Sequence, residues 1–120
     1  MKFARWTFLI AGVYGLVVLV PQYFVEMGGT TVAGLPEFFY GFLGVAAAFQ
    51  IVFIIISTDP RRYRLMILPS IVEKFSFAAA VAILAYSGRT SGAVLIGAAL
   101  DLLLGVLFTA SWFKTAPARE

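Results

Sequence analysis

Three charged residues, Glu73, Lys74 and Asp101, stand inside stretches of sequence that are otherwise almost entirely apolar. Two carboxyl groups and one amine can act as general acid and base, bind the polar group of a ligand or pass protons. A charged side chain in hydrocarbon costs roughly 2.5–3.5 kcal/mol on insertion scales, so it usually faces the interior of a helical bundle. We therefore expect any functional site of this chain to contain these residues.

Gln50, Ser76 and Tyr14 are the polar residues that accompany them by type and position. At a rise of about 1.5 Å per helical residue, Gln50 lies at the depth of Glu73 and Lys74, while Asp101 lies deepest, near the middle of its stretch. Consecutive helical residues point about 100° apart, so Glu73 and Lys74 cannot both face inward. We expect Glu73 and Ser76 to face the interior and meet Gln50, and Lys74, with its longer reach, to turn towards an adjacent groove or extend to the surface. The predicted buried polar cluster comprises Gln50, Glu73, Lys74, Ser76, Asp101 and Tyr14.

This cluster has a structural and a functional interpretation, and the sequence leaves both open. A Lys74–Asp101 or a Glu73–Gln50 contact would satisfy the buried groups and hold helices together without any activity. Alternatively, the same groups form a small ligand site or a proton path.

The chain contains no cysteine and no histidine. Thiol chemistry, disulfides, a Ser-His-Asp triad and histidine metal ligands are therefore excluded. No nucleotide-binding glycine loop or hydrolase motif is present, and Glu73 with Asp101 offers too few oxygen ligands for a metal site. We predict no metal, no cofactor and no nucleic-acid binding, and we expect a protein that is not an enzyme.

Composition identifies the elements that must position the cluster. Of 120 residues, 62% are hydrophobic and 12% charged, against about 45–50% and about 25% in soluble domains. Four stretches reach the ~20 apolar residues that a membrane helix needs. The sequence predicts an all-α integral membrane protein, a single up-down-up-down four-helix bundle. Its helices are expected at about residues 4–25, 36–57, 60–87 and 92–113.

Prolines, one aspartate and one glycine set the predicted helix ends. Asp59 is expected to cap the third helix with Pro60 as its first residue. Pro69 is expected to kink or restart that helix, Gly88 to end it in a left-handed conformation, and Pro21 to bend the first helix. Pairs of small residues four apart indicate close helix contacts; they are Ala11/Gly15, Gly44/Ala48, Ala78/Ala82 and Ala93/Gly97.

Basic residues set the predicted orientation. They collect at three places on one side of a four-span chain, and Arg89 alone lies on the other side. The three places hold Lys2 and Arg5, then Arg61, Arg62 and Arg64, and finally Lys114 and Arg119. By the positive-inside rule both termini and the middle loop are cytoplasmic, in a multi-pass protein of the cell inner membrane. Arg61, Arg62 and Arg64 are predicted to contact anionic lipid headgroups, at roughly 1 kcal/mol each.

The segment from residue 36 to 108 carries a resemblance. It includes Pro36-Glu37-Phe38-Phe39-Tyr40-Gly41-Phe42, Asp59-Pro60-Arg61-Arg62-Tyr63-Arg64, Glu73-Lys74 and Asp101-Leu102-Leu103-Leu104-Gly105. This segment resembles a group of short, uncharacterised bacterial four-helix integral membrane proteins. In size and predicted helix count, the whole chain is similar to the DoxX-like superfamily. The resemblance implies a four-helix bundle. Some DoxX-type proteins are linked to quinone or thiol redox metabolism, and the missing cysteines count against a thiol role here.

The sequence supports three functional hypotheses. The first is a membrane protein without catalytic activity, either an accessory subunit or a binder of a lipid or another small apolar ligand. The second is an oligomeric transporter or proton-coupled channel that uses Glu73 and Asp101. The third is a lipid- or isoprenoid-modifying enzyme with one of these carboxyl groups as general acid. The expected partners are the lipid bilayer, a lipid or other apolar ligand, and a second copy or a larger membrane complex.

Overall fold

A computed structural model describes residues 2–27, 36–88 and 92–117, which form helices joined by short turns and include no β-strand. The α-helices are α1 (Lys2–Met27), α2 (Pro36–Thr58), α3 (Ile67–Tyr86) and α4 (Ala93–Lys114). All four are long and apolar enough to span a membrane, judged by length and composition. The prediction of an all-α chain with four such helices is confirmed.

The third helix begins at Ile67, so the predicted start at Pro60 is wrong. Residues 60–63 form a turn and residues 64–66 a short 3-10 helix. Asp59 caps the turn: its backbone carbonyl accepts a hydrogen bond from the Tyr63 N–H at 3.1 Å, and its Oδ1 accepts one from the Arg62 N–H at 3.3 Å. A helix from Pro60 would place Pro69 in its interior, where the ring clashes with the preceding turn. In the first turn of α3, Pro69 lacks only an N–H that has no helical partner there.

The remaining helix ends agree more closely with the sequence. Gly88 follows α3 with φ +72°, the predicted left-handed conformation, and its N–H donates to the Ala85 carbonyl at 3.0 Å. α1 continues through Pro21 to Met27. The predictions for the turns 28–35 and 89–91, with Arg89, and for Arg119 lie outside the described residues.

The helices pack as two antiparallel pairs, α1 with α2 and α3 with α4. Along the first pair the Phe8 ring lies 6.0 Å from Phe53, and the Tyr23 ring lies 5.8 Å from Tyr40. Residues further along α1 therefore contact residues earlier in α2, as in an antiparallel pair. Between these contacts Gly12 lies directly against α2. Along the second pair Lys74 contacts Asp101 and Arg64 contacts Trp112, again in opposite order.

Of the four small-residue pairs, only Ala11/Gly15 is buried as a pair. Gly15 lies against the Gln50 side chain, and its neighbour Gly12 lies against Ile54 and the Gln50 backbone. Gly44, Ala48, Ala82 and Ala93 are exposed. Gly105, which no pair predicted, is buried against the Phe75 ring. The spacing alone therefore does not identify contacts in a chain rich in Ala and Gly.

An aromatic cluster closes one end of the bundle. Phe8, Phe53 and Phe108 are fully buried. The Phe8 and Phe108 rings stack with centroids 4.2 Å apart, and Phe53 meets Phe108 edge-on at 4.9 Å. These rings join α1, α2 and α4, so the helix pairs are held together at this end.

Arg64 stabilises the same end. Its Nε and Nη2 donate to the Trp112 carbonyl at 3.1 and 2.9 Å, and the guanidinium lies 3.4 Å from the centre of the Trp112 ring. The last carbonyls of a helix lack donors within the helix and favour positive charge. Arg64 therefore has a packing role that the predicted lipid contact did not include. Arg61 and Arg62 are exposed, and for them the lipid contact stays a prediction.

Away from the closed end the two helix pairs separate. Beyond the closed-end cluster, which includes Ile67 of α3 as well as Phe53 of α2, these two helices meet where the Phe42 and Phe77 rings stack at 6.2 Å. The space between the pairs forms a cavity.

Candidate functional site

The cavity has a volume of about 650 Å³ and is lined by all four helices. Most of its wall is apolar; Val18, Leu19, Phe42, Val45, Phe77 and Val94 contribute to it. Ligand sites typically measure about 300–1,000 Å³ and combine apolar walls with a few convergent polar groups. The cavity has both properties, because the six residues of the predicted polar cluster all line it.

Lys74 is the centre of the polar region. It is 3% exposed, and its Nζ lies 3.3 Å from Asp101 Oδ1 and 3.6 Å from Glu73 Oε2. Of the two contacts that the structural interpretation proposed, the Lys74–Asp101 contact is present. It joins α3 to α4 within the cluster.

The expected division of the helix face is observed only in part. Glu73 lines the cavity as expected, but Lys74 lines it too and is buried, although we expected only one of the two to face inward. Ser76 is exposed, although we expected it to face inward with Glu73. The Ser76 hydroxyl donates to the Glu73 backbone carbonyl at 3.1 Å, so it needs no partner across the bundle. Lys74 has two carboxylates within reach, and their attraction offsets the cost of removing the ammonium from water.

Gln50 supplies a buried amide from α2. It is 2% exposed, and its Nε2 donates to the Ala46 carbonyl one turn earlier at 2.8 Å. The Glu73–Gln50 hydrogen bond that we considered is not found among the described residues. Gly15 makes room for the amide, because a Cβ built there would overlap the Gln50 side chain.

Two buried oxygen atoms in the cluster have no hydrogen-bond donor within the described part of the chain: Gln50 Oε1 and Glu73 Oε2. The Glu73 oxygen has only the 3.6 Å ion-pair contact with Lys74. A buried acceptor without a donor costs about 1–3 kcal/mol. The polar region therefore has unused capacity to bind a polar group.

Tyr14 on α1 and Asp101 on α4 line the cavity from opposite helix pairs, and both are half-buried. Sequence reasoning placed these two residues in the site but did not include Gly15, which lines the cavity, or Phe53, whose ring centre lies 5.1 Å from Lys74 Nζ. The Ala11/Gly15 spacing was a usable signal for Gly15. Nothing in the sequence distinguishes Phe53 from the other phenylalanines.

The described residues contain no group of three or more acidic side chains able to hold a metal ion. The arrangement suits the binding of a small polar head beside an apolar tail. No protein-family model, curated protein or solved structure matches the chain. The case for a function therefore depends on the geometry of this cavity.

Proposed function

We propose that this chain is a small integral membrane protein that binds one amphipathic, mainly apolar ligand, such as a single-chain lipid, between its two helix pairs. One observation carries the proposal: an apolar cavity of about 650 Å³ contains a compact polar region in which two buried oxygens accept no hydrogen bond from the described residues. The polar region would hold the head of the ligand, and the apolar wall would contact its tail.

The outward faces of the helices support the membrane setting. Val17, Phe38 and Ile83 are 68%, 70% and 70% exposed. Many other large apolar side chains are exposed as well. Apolar surface of this extent does not suit water. The proposal includes four crossings in up-down-up-down order through the cell inner membrane of a bacterium.

The proposed orientation places both termini and the turn at residues 59–66 in the cytoplasm. These segments lie at the closed end: the Lys114 ammonium is 4.6 Å from the Phe3 ring centre, and Arg64 contacts Trp112. Arg61 and Arg62 are exposed beside them, at a position where they would meet anionic headgroups. The cavity then lies in the half of the bundle away from the cytoplasm.

The packed aromatic rings of Phe8, Phe53 and Phe108 favour binding over conduction. A transporter or proton channel that uses Glu73 and Asp101 would need a path past these fully buried rings or between copies of the chain. A lipid- or isoprenoid-modifying enzyme would use the same cavity, with a carboxyl group as general acid. A released ligand of altered mass would favour that alternative.

Native mass spectrometry of the detergent-purified protein tests the proposal, and it reports bound ligand and stoichiometry together. Gly97 lines the cavity, and a Cβ there meets no atom within 4 Å, so Gly97→Leu fills space without a backbone clash. Gly41→Leu is the matched control, because Gly41 also has open space but does not line the cavity.

We expect wild type and Gly41→Leu to retain one ligand per chain. Ligand occupancy of Gly97→Leu is expected to fall about tenfold, equivalent to about 1.4 kcal/mol of binding free energy. A ligand-free wild-type monomer, or equal occupancy in all three proteins, would overturn the proposal.

A further inference from the structure

Gln50 and Glu73 line the cavity, and each has a buried oxygen, Oε1 and Oε2 respectively, without a hydrogen-bond donor within the described part of the chain. Both oxygens are hydrogen-bond acceptors. The orientation of the Gln50 amide is fixed, because only its nitrogen can donate to the Ala46 carbonyl. Its oxygen is therefore the atom left without a hydrogen-bond donor, in a residue that is only 2% exposed. Glu73 Oε2 is the second such atom. A ligand that completes this site must bring donors.

The charges of the cavity point the same way. Lys74 is the one basic residue among the described residues that line it, against the two carboxyl groups of Glu73 and Asp101. Asp101 makes the shorter contact with Lys74, at 3.3 Å, which leaves Glu73 the less neutralised group. A phosphate or carboxylate head would add a third acid at close range in a medium of low dielectric, where like charges repel strongly. An anionic head is therefore disfavoured.

We infer that the head group of the ligand donates hydrogen bonds and carries no negative charge. An ammonium group and a hydroxyl group both meet these two conditions. An ammonium can donate to both Gln50 Oε1 and Glu73 Oε2, whereas a hydroxyl, which has one O–H, donates to one of them. The Lys74–Asp101 pair stays intact in either case. This inference rests on the proposed function, since it names the class of ligand for the same cavity.

Four probes that share one oleyl chain separate the possible heads: oleylamine, oleyl alcohol, oleic acid and methyl oleate. Their dissociation constants are measured at neutral pH by native mass spectrometry titration of the detergent-purified protein. One satisfied buried acceptor is equivalent to about a 5- to 150-fold change in affinity. We expect the amine and the alcohol to bind at least about fivefold more tightly than the acid and the ester.

Gln50→Met removes the acceptor and keeps a long apolar side chain. We expect it to reduce the preference for oleyl alcohol over methyl oleate severalfold. Gln22→Met is the matched control, because Gln22 also lines the cavity and bonds to its own helix at the Val18 carbonyl, but its oxygen is not a buried unpartnered acceptor. The control should keep the wild-type preference.

The outcomes separate this inference from the proposed function. If all four probes bind equally, or if oleic acid binds most tightly, and Gly97→Leu blocks that binding, the cavity binds amphiphiles but the inferred head group is wrong. If none of the four binds, both are overturned. If Gln50→Met fails to fold, the wild-type series of four probes decides alone.

Discussion

At the scale of single residues, the ion pair of Lys74 with Asp101 governs the polar region. The Lys74 side chain is 4% exposed and that of Asp101 16% exposed, so neither charge is well hydrated. A buried ion pair contributes little compared with apolar residues, but removing one partner leaves an uncompensated charge. We therefore expect single and double substitutions at this pair to lower the free energy of unfolding by different amounts.

Lys74→Met is expected to lower the free energy of unfolding by about 3 kcal/mol, because it leaves two carboxyl groups without a counter-charge. The double variant Lys74→Met/Asp101→Asn should recover at least half of that loss, and Asp101→Asn alone should still fold. Denaturant unfolding in detergent micelles, followed by circular dichroism, measures all three. Equal destabilisation in the single lysine variant and the double variant would contradict this role of the pair.

The sequence predicts which polar residues share the cavity, because charged and amide groups within apolar helices must face the interior. It does not predict that Lys74 is buried and Ser76 exposed. The outcome depends on Asp101, which lies 27 residues further along the chain and on another helix. Periodicity within α3 carries no information about that neighbour, nor about the hydrogen bond that Gln50 makes to its own helix.

Arg64 gives a second prediction at this scale. Arg64→Lys keeps the charge but loses the planar guanidinium, whose Nε and Nη2 both donate to the Trp112 carbonyl oxygen while the group stacks on the Trp112 ring. Lysine presents a compact ammonium that cannot make this combined contact. We expect a loss of about 1–2 kcal/mol in the free energy of unfolding.

Arg61→Lys is the control for this prediction, since Arg61 is exposed. Its unfolding midpoint should equal that of wild type. If Arg64→Lys also matched wild type, the guanidinium would not stabilise the closed end.

At the scale of helices, glycine determines how closely α1 approaches α2. A Cβ at Gly12 would lie 2.6 Å from Ile54 Cγ1 and 2.7 Å from the Gln50 backbone oxygen, so the backbones would have to separate. Gly12→Val is expected to destabilise the protein by about 1–3 kcal/mol, as overpacking does. Thermal unfolding in micelles is the measurement.

Gly44→Val serves as the matched control for this helix pair. A Cβ at Gly44 meets only the Tyr23 hydroxyl, at an ordinary 3.8 Å. The control should unfold within a few degrees of wild type. Comparable unfolding of the two valine variants would show that α1 and α2 are not held at this distance.

The sequence predicts the bounds of α1, α2 and α4 within a few residues, because hydropathy and chain length determine them. It places the start of α3 wrongly because the Asp59-Pro60 pair is also a good turn. The choice is made by Pro69 and by Arg64, whose contact with α4 requires the turn and 3-10 helix before Ile67. The small-residue spacing identifies one close contact and misses Gly105, since the partner surface decides whether a small residue is needed.

At the scale of the whole molecule, sidedness is the first prediction. The chain has no cysteine, so single-cysteine variants have no background reactivity. Lys2→Cys, Arg62→Cys and Lys114→Cys should react with a membrane-impermeant maleimide only from the cytoplasmic side. Tyr86→Cys, at a position 97% exposed beyond the other end of the bundle, should react only from outside. Labelling of Lys2→Cys and Arg62→Cys from opposite sides would exclude the proposed topology.

The most direct test of cavity binding is photocrosslinking in native membranes. A diazirine-bearing phenylalanine replaces Phe77, which lines the cavity, or Phe38, which is 70% exposed and does not line it. Intact-mass analysis then identifies what each position has captured. We predict one predominant adduct at position 77, with a single apolar chain and a small ammonium or hydroxyl head, and the mixture of bulk membrane lipids at position 38. The same mixture at both positions would contradict the account, because the cavity would then hold only the surrounding bilayer.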